Sequence, residues 1–154
     1  RRVLFRSSMT PNPDQGVRAM VKAFPVIVLA LMALINLGRG AIHAFAPDGG
    51  AISIAGLSFG NQGPTLLSLF ATLGFGQMVM GGFQAYIVLR RRDLVSLFLA
   101  FQITTTVMAM VNLYLWRPLP VTVPGQPFNL ALLVIQAIAF ALAVRSAQSG
   151  PSKP

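Results

Sequence analysis

The sequence lacks cysteine and glutamate and carries little negative charge. Among its 154 residues only Asp14, Asp48 and Asp93 are acidic, and only His43 is a histidine. Charged residues make up 10% of the chain, whereas a soluble domain carries about 25%. So few charges cannot form the polar shell of a water-soluble globule, and no thiol chemistry or disulfide framework is available. These shortages exclude a soluble enzyme, a disordered tail and a disulfide scaffold.

Apolar residues are abundant instead, at 55% of the chain with a mean hydropathy of +0.69. A membrane-spanning helix needs about 20 mostly apolar residues. Four stretches meet this requirement, at about residues 23–45, 65–89, 94–116 and 128–144. They are too long for barrel strands and lack strict alternation, and a backbone in lipid must satisfy its own hydrogen bonds. The sequence therefore predicts an all-α integral membrane protein with four transmembrane helices in an antiparallel up-down bundle.

The basic residues give this bundle an orientation. Four crossings place one group of seven on one side of the membrane: Arg18, Lys22, Arg90, Arg91, Arg92, Arg145 and Lys153. The other side has only Arg39 and Arg117. Because cytoplasmic loops are enriched in lysine and arginine, we expect both termini in the cytoplasm of a bacterium and a location in its inner membrane.

The connections and the ends of the chain complete the expected organisation. Residues 90–93 form a short inner connection, whereas residues 46–64 form a glycine-rich outer loop, either a short β-hairpin or an interfacial loop over the bundle. We interpret residues 1–7 as a translated sequencing adapter, which indicates a metagenomic source, and we exclude them from the fold. A cytoplasmic segment (8–22), a single transmembrane domain (23–145) and a cytoplasmic tail (146–154) follow.

Polar side chains inside the spans are the first place to look for function, because such residues usually face protein or water. The candidates for an intramembrane polar lining are Gln77, Gln84, Gln102, Thr105, Thr106, Asn112 and Gln136. One interpretation is that they hold the helices together by hydrogen bonds. The other is that they line a narrow polar pocket or water path.

A second group of candidates lies at the outer end of the first span. Asn36, Arg39 and His43 follow helical spacing and, with Asp48, form a candidate polar or anion site. Arg39 could instead extend its charge towards the interface, or pair with Asp48 and fix the outer loop. A single histidine excludes a multi-histidine metal site, so no metal and no cofactor are expected.

The layout of the chain also carries a resemblance. Residues 36–57, which read NLGRGAIHAFAPDGGAISIAGL, resemble small four-span bacterial inner-membrane proteins of unknown function. The resemblance implies the same fold and location. It assigns no activity and no catalytic residues.

Taken as a whole, the sequence predicts a small polytopic inner-membrane protein that is non-catalytic, either an accessory subunit or a lipid-interacting factor. The first alternative is a small-solute transporter or channel lined by glutamine and threonine. The second is a membrane enzyme that acts on a lipid or quinone at the outer boundary through Arg39 and His43. The expected partners are the lipid bilayer and a homo-oligomer or larger membrane complex. Nucleic acid is excluded, since the basic residues flank apolar segments.

Overall fold

The computed structural model describes residues 13–119 and 123–148, and the interpretation of residues 1–7 lies outside this range. Its four long helices are α1 (Pro13–Phe45), α2 (Gly63–Arg90), α3 (Val95–Val111) and α4 (Gln126–Gln148). Short 3-10 helices, Gly60–Gln62 and Arg92–Leu94, lead into α2 and α3, and a π-helix, Asn112–Trp116, extends α3. Four of these helical segments are long and apolar enough to cross a membrane. The prediction of four helices long and apolar enough to span a membrane is confirmed for the described residues.

The first helix is longer than the predicted span. It begins at Pro13 rather than near residue 23, with Asp14 in its first turn, where a negative charge suits the helix dipole. Its 33 residues make a rod of about 50 Å at ~1.5 Å per residue, well beyond a hydrocarbon core of about 30 Å. The segment before Lys22 mixes charged residues with apolar ones, and it is helical because backbone hydrogen bonds do not require an unbroken apolar run.

Glycines bring α1 and α2 into backbone contact along a line that we call the glycine seam, formed by Gly40, Gly74 and Gly81. A Cβ atom at Gly74 would lie 2.6 Å from the carbonyl oxygen of Gly40, and one at Gly81 would lie 2.9 Å from that of Ala33. Residue numbers fall along α1 as they rise along α2, so the two helices run antiparallel. Only residues without a side chain permit so close an approach.

The other two helices pack through larger side chains. A buried cluster joins α1, α2, α3 and α4: Val28, Leu29, Ile87, Val95, Leu99 and Ala139. At the opposite end of the molecule, the Tyr114 hydroxyl donates to the carbonyl of Gln126, 2.9 Å away, and ties the end of α3 to the start of α4. α3 lies mainly against α4 and α1, and it contacts α2 little although the two are joined by the shortest connection.

The loop after α1 is a series of turns, with no strand among the described residues. The suggested β-hairpin is therefore wrong, and the reason lies in the Asp48 carboxylate and the glycines around it. Asp48 accepts hydrogen bonds from the backbone N–H groups of Gly50 and Ser53, which folds the chain back into helical turns. Gly50 has a φ of 76°, a left-handed conformation that a strand does not contain.

Candidate functional site

Polar side chains from all four helices meet in the interior of the protein. We call this group the amide cluster: Asn36, Gln84, Gln102, Thr106 and Gln136. Gln84 and Gln136 are almost completely buried, at 0% and 1% exposure. Helical spacing explains the convergence, since each residue lies on the face of its helix that is turned towards the other three.

The first half of the amide cluster joins α1, α2 and α3. The Asn36 side-chain amide donates to Gln84 Oε1 at 2.9 Å and to Gln102 Oε1 at 3.0 Å. The Gln84 amide also donates to Gln102 Oε1, at 2.6 Å. The side-chain oxygen of Gln102 thus accepts two hydrogen bonds, which uses both of its lone pairs.

The second half carries the contacts across to α4. The Gln102 amide lies 3.5 Å from Thr106 Oγ1, which in turn lies 3.2 Å from Gln136 Oε1. Thr106 also donates to the backbone carbonyl of Gln102 at 2.9 Å, and its single hydroxyl hydrogen can serve only one acceptor fully at a time. The Gln136 amide donates to the sulfur of Met32 at 3.1 Å, so the hydrogen bonds of the cluster also connect α4 to α1.

The chemistry of the amide cluster is that of neutral hydrogen bonding. None of its five side chains titrates near neutral pH, so it offers no general acid, base or nucleophile. Its members contact one another directly within hydrogen-bond distance. In a membrane such bonds contribute about 0.6 kcal/mol each on average, and the cluster can therefore fix how the four helices associate.

Three other residues of the predicted polar lining lie outside the amide cluster. Gln77 has a side-chain oxygen that is buried without a partner among the described residues. Thr105 is exposed and donates to the Phe101 carbonyl of its own helix at 2.9 Å. Asn112 is exposed at the start of the π-helix, where its backbone carbonyl accepts from the Arg117 N–H at 2.8 Å. The lining predicted as one surface is divided between the interior and the exterior.

The four residues of the predicted anion site have separate surroundings. Asn36 belongs to the amide cluster, and Arg39 lies exposed on α1. His43 Nδ1 lies 2.8 Å from the carbonyl oxygen of Gly49, and its ring meets Phe70 edge-on at 5.3 Å between centroids. Asp48 binds the backbone of its own loop. The suggested pairing of Asp48 with Arg39 is not formed, because the carboxylate is occupied by the loop N–H groups.

Asp48 is held as a carboxylate by these bonds. The N–H groups of Ser53 and Gly50 donate to it at 2.6 and 2.9 Å, and that of Ile52 at 3.1 Å. Hydrogen bonds from the backbone of Ser53 and Gly50 lower the pKa of Asp48 from 3.8 to about 2. Its role in this arrangement is to close the loop that joins the end of α1 to the start of α2.

A pocket at the opposite end of the molecule was missed by sequence reasoning. We call it the basic pocket; it measures about 250 Å³ and lies between α1, the connection that precedes α3, and α4. It is lined by Lys22, Pro25, Val26, Arg92, Asp93, Val95, Ser96, Ala143, Ser146 and Ala147. The available signal was the charge bias itself, which was used only to orient the helices.

Known proteins add nothing to these geometric observations. Among the described residues, no group of three or more histidine, aspartate or glutamate side chains could hold a metal ion. No family model, curated protein or solved structure matches the chain.

Proposed function

We propose that this chain is a small polytopic protein of the bacterial inner membrane, with a non-catalytic role as an accessory subunit or a lipid-interacting factor. Its four helices form an antiparallel up-down bundle, with both termini in the cytoplasm. The observation that carries the proposal is the amide cluster: polar side chains from all four helices are used in bonds to one another.

The exposed surface supports a membrane environment. Large apolar side chains are exposed on all four helices, among them Leu34, Leu69, Phe101 and Leu130, each more than half exposed. In water such a surface would drive aggregation, whereas in a bilayer it faces acyl chains. The buried polar groups and exposed apolar groups together are the pattern expected of a protein solvated by lipid.

The position of the cations supports the orientation. The basic pocket is lined by Lys22 of α1, by Arg92 after α2 and by Ser146 near the end of α4. These three positions therefore lie at one end of the molecule, and Arg145 is the neighbour of Ser146. Three basic segments that are distant in sequence therefore meet. Under the positive-inside rule this end is cytoplasmic.

Direct bonding in the amide cluster supports this proposal over a transporter. A solute path lined by glutamine and threonine needs those side chains to face water, whereas Asn36, Gln84 and Gln102 face one another. His43, the residue that an enzyme at the outer boundary would use, contacts Gly49 and Phe70 within the fold. Its contacts are those of a residue that holds the loop.

The orientation can be tested by single-cysteine labelling, for which the cysteine-free chain is a clean background. We expect Ser58→Cys, in the outer loop, to react with a membrane-impermeant maleimide in intact cells. Gln148→Cys, at the end of α4, should react only after the membrane is opened. Both residues are exposed, so accessibility to the reagent is matched. The reverse pattern would overturn the proposed orientation.

The role can be tested by native mass spectrometry of the protein extracted in a mild detergent. We expect the spectrum to show the protein with phospholipid still bound, or in complex with a co-purifying membrane protein. A lone monomer that carries neither would contradict the proposed role. Protein-mediated uptake of a small solute into vesicles would favour the transporter instead.

A further inference from the structure

The basic pocket combines cations with hydroxyl groups in a way that the bundle itself does not require. Lys22 and Arg92 contribute positive charge, and Ser96 and Ser146 contribute hydroxyl donors from α3 and α4. Pro25, Val26, Val95 and Ala143 form apolar walls. The side chains come from three separate parts of the chain and converge on a volume of about 250 Å³, against the roughly 10–15 Å³ that one water molecule needs.

Hydrogen bonds within the protein use little of the donor capacity of Lys22 and Arg92, so both cations can bind a ligand. Arg92 uses its Nε atom to donate to the Val88 carbonyl at 3.1 Å, and its terminal nitrogens have no partner among the described residues. The Lys22 ammonium likewise makes no hydrogen bond within the part of the chain that the structure describes. Both side chains are exposed, so a ligand can approach them.

The single carboxylate in the lining is neutralised from outside the pocket. Asp93 accepts two hydrogen bonds from Arg91, at 3.0 Å from Nε and 2.8 Å from a terminal nitrogen. This fork geometry directs the Asp93 charge towards Arg91. Lys22 and Arg92 therefore dominate the field in the pocket.

We propose that the basic pocket binds the phosphate of an anionic phospholipid headgroup at the cytoplasmic surface. Basic pockets between transmembrane helices on this side of a membrane bind such headgroups. The flanking helices continue into the bilayer with exposed apolar side chains, Ile27 on α1 and Leu97 on α3, beside which acyl chains can lie. The inference rests on the proposed membrane function and names the lipid chemistry that it involves.

The test compares two charge removals in the pocket with one beside it. Lys22→Gln and Arg92→Gln each remove a cation from the lining, and Arg90→Gln removes one from the end of α2 outside it. Each detergent-solubilised variant is titrated with phosphatidylglycerol or with phosphatidylcholine of the same acyl chains, and bound lipid is counted by native mass spectrometry. Inorganic phosphate is added as a competitor in a further arm.

We expect the unaltered protein to prefer phosphatidylglycerol, and each pocket variant to bind it about fivefold more weakly, because one cation near the headgroup is lost. Arg90→Gln should weaken binding by less than about twofold, since Arg90 lies outside the lining and its exposed charge is screened by solvent and salt. Lys22 makes no hydrogen bond or ion pair among the described residues, so its variant tests the pocket even if Arg92→Gln disturbs the end of α2.

If millimolar inorganic phosphate displaces the lipid, the phosphate group alone is recognised. If the lipid stays bound in the presence of phosphate, the pocket requires the intact lipid. Both results support a phosphate site. Equal binding of the two lipids by the unaltered protein would overturn it, as would an equal loss in Arg90→Gln and Arg92→Gln. In the second case lipid binding, and with it the proposed function, would stand without this pocket.

Discussion

α1 holds α2 and α3 by different means. The backbones of α1 and α2 touch along the glycine seam, whereas α1 packs against α3 through bulky apolar residues. The Asn36 amide donates to both neighbours. α2 and α3 are adjacent in sequence and joined by the shortest connection, yet they contact each other less than either contacts α1. Small residues, and not chain proximity, decide which helices approach closely.

The largest effect is expected where a side chain is added to the glycine seam. In Gly74→Ala the new Cβ would lie 2.6 Å from the carbonyl oxygen of Gly40 and 2.7 Å from the amide nitrogen of Ala44, so backbone must move. Overpacking of this kind costs about 1–3 kcal/mol. Unfolding of the protein in mixed micelles by sodium dodecyl sulfate, followed by circular dichroism, measures the change.

The same helix supplies the matched control. Gly76 has no atom within 4 Å of an added Cβ. Gly76→Ala should therefore keep or raise the free energy of unfolding, by up to about 1 kcal/mol from helix propensity. If both variants lose equal stability, the glycine seam is not what joins α1 to α2.

A smaller loss is expected in the amide cluster. Gln102→Leu removes the oxygen that accepts from Asn36 and Gln84, and it leaves both donors in an apolar interior. Two interhelical bonds in a membrane protein correspond to a loss of about 1–2 kcal/mol in the same unfolding assay. Thr105→Val, one turn further along α3 with an exposed hydroxyl bonded within its own helix, is the control and should be close to neutral.

Acid should open the outer loop without separating the helices below it. The pKa of Asp48 is lowered to about 2, so the contribution of its carboxylate is complete above pH ~4 and is lost as the pH falls through about 2. The amide resonances of Gly50 and Ser53 in micelles should shift with that midpoint. Asp48→Asn should abolish the titration, and helicity that fell in step with it would mean that the loop, and not glycine packing, joins α1 to α2.

The smallest effect is expected in the connection between α2 and α3. Arg91 and Asp93 form an ion pair 2.8 Å long, but their side chains are 51% and 59% exposed. Exposed pairs of this kind contribute little to stability. Asp93→Asn should leave the unfolding midpoint unchanged, and a clear loss would show that the connection fixes α2 against α3 after all.

The number and position of the helices follow from the sequence because lipid imposes a simple length rule. The second, third and fourth helical segments begin and end within about five residues of the predicted spans. The predicted span begins well inside α1, because charged and polar residues such as Asp14, Arg18 and Lys22 interrupt the apolar run at the start of the helix. Of the two forms predicted for the outer loop, the β-hairpin is wrong. The alternation around Ile52 and Ile54 favours a strand, whereas Asp48 binds the local backbone.

The side-chain partners were less predictable. Asn36 shares helical spacing with Arg39 and His43, and that spacing cannot reveal that Asn36 turns towards Gln84 and Gln102. The seven-residue interval between Gln77 and Gln84 placed them on one face, but only Gln84 reaches the amide cluster. Pairing across helices depends on tilt and close approach, which one sequence read along its length does not contain.

The glycine seam lies entirely within the first 90 residues. During synthesis both of its helices leave the ribosome ahead of α3, and N-terminal units generally fold first. The nascent hairpin can therefore close its backbone contacts early, while the remaining chain is still being made. α3 and α4 then arrive at a helix pair whose backbones are already in contact.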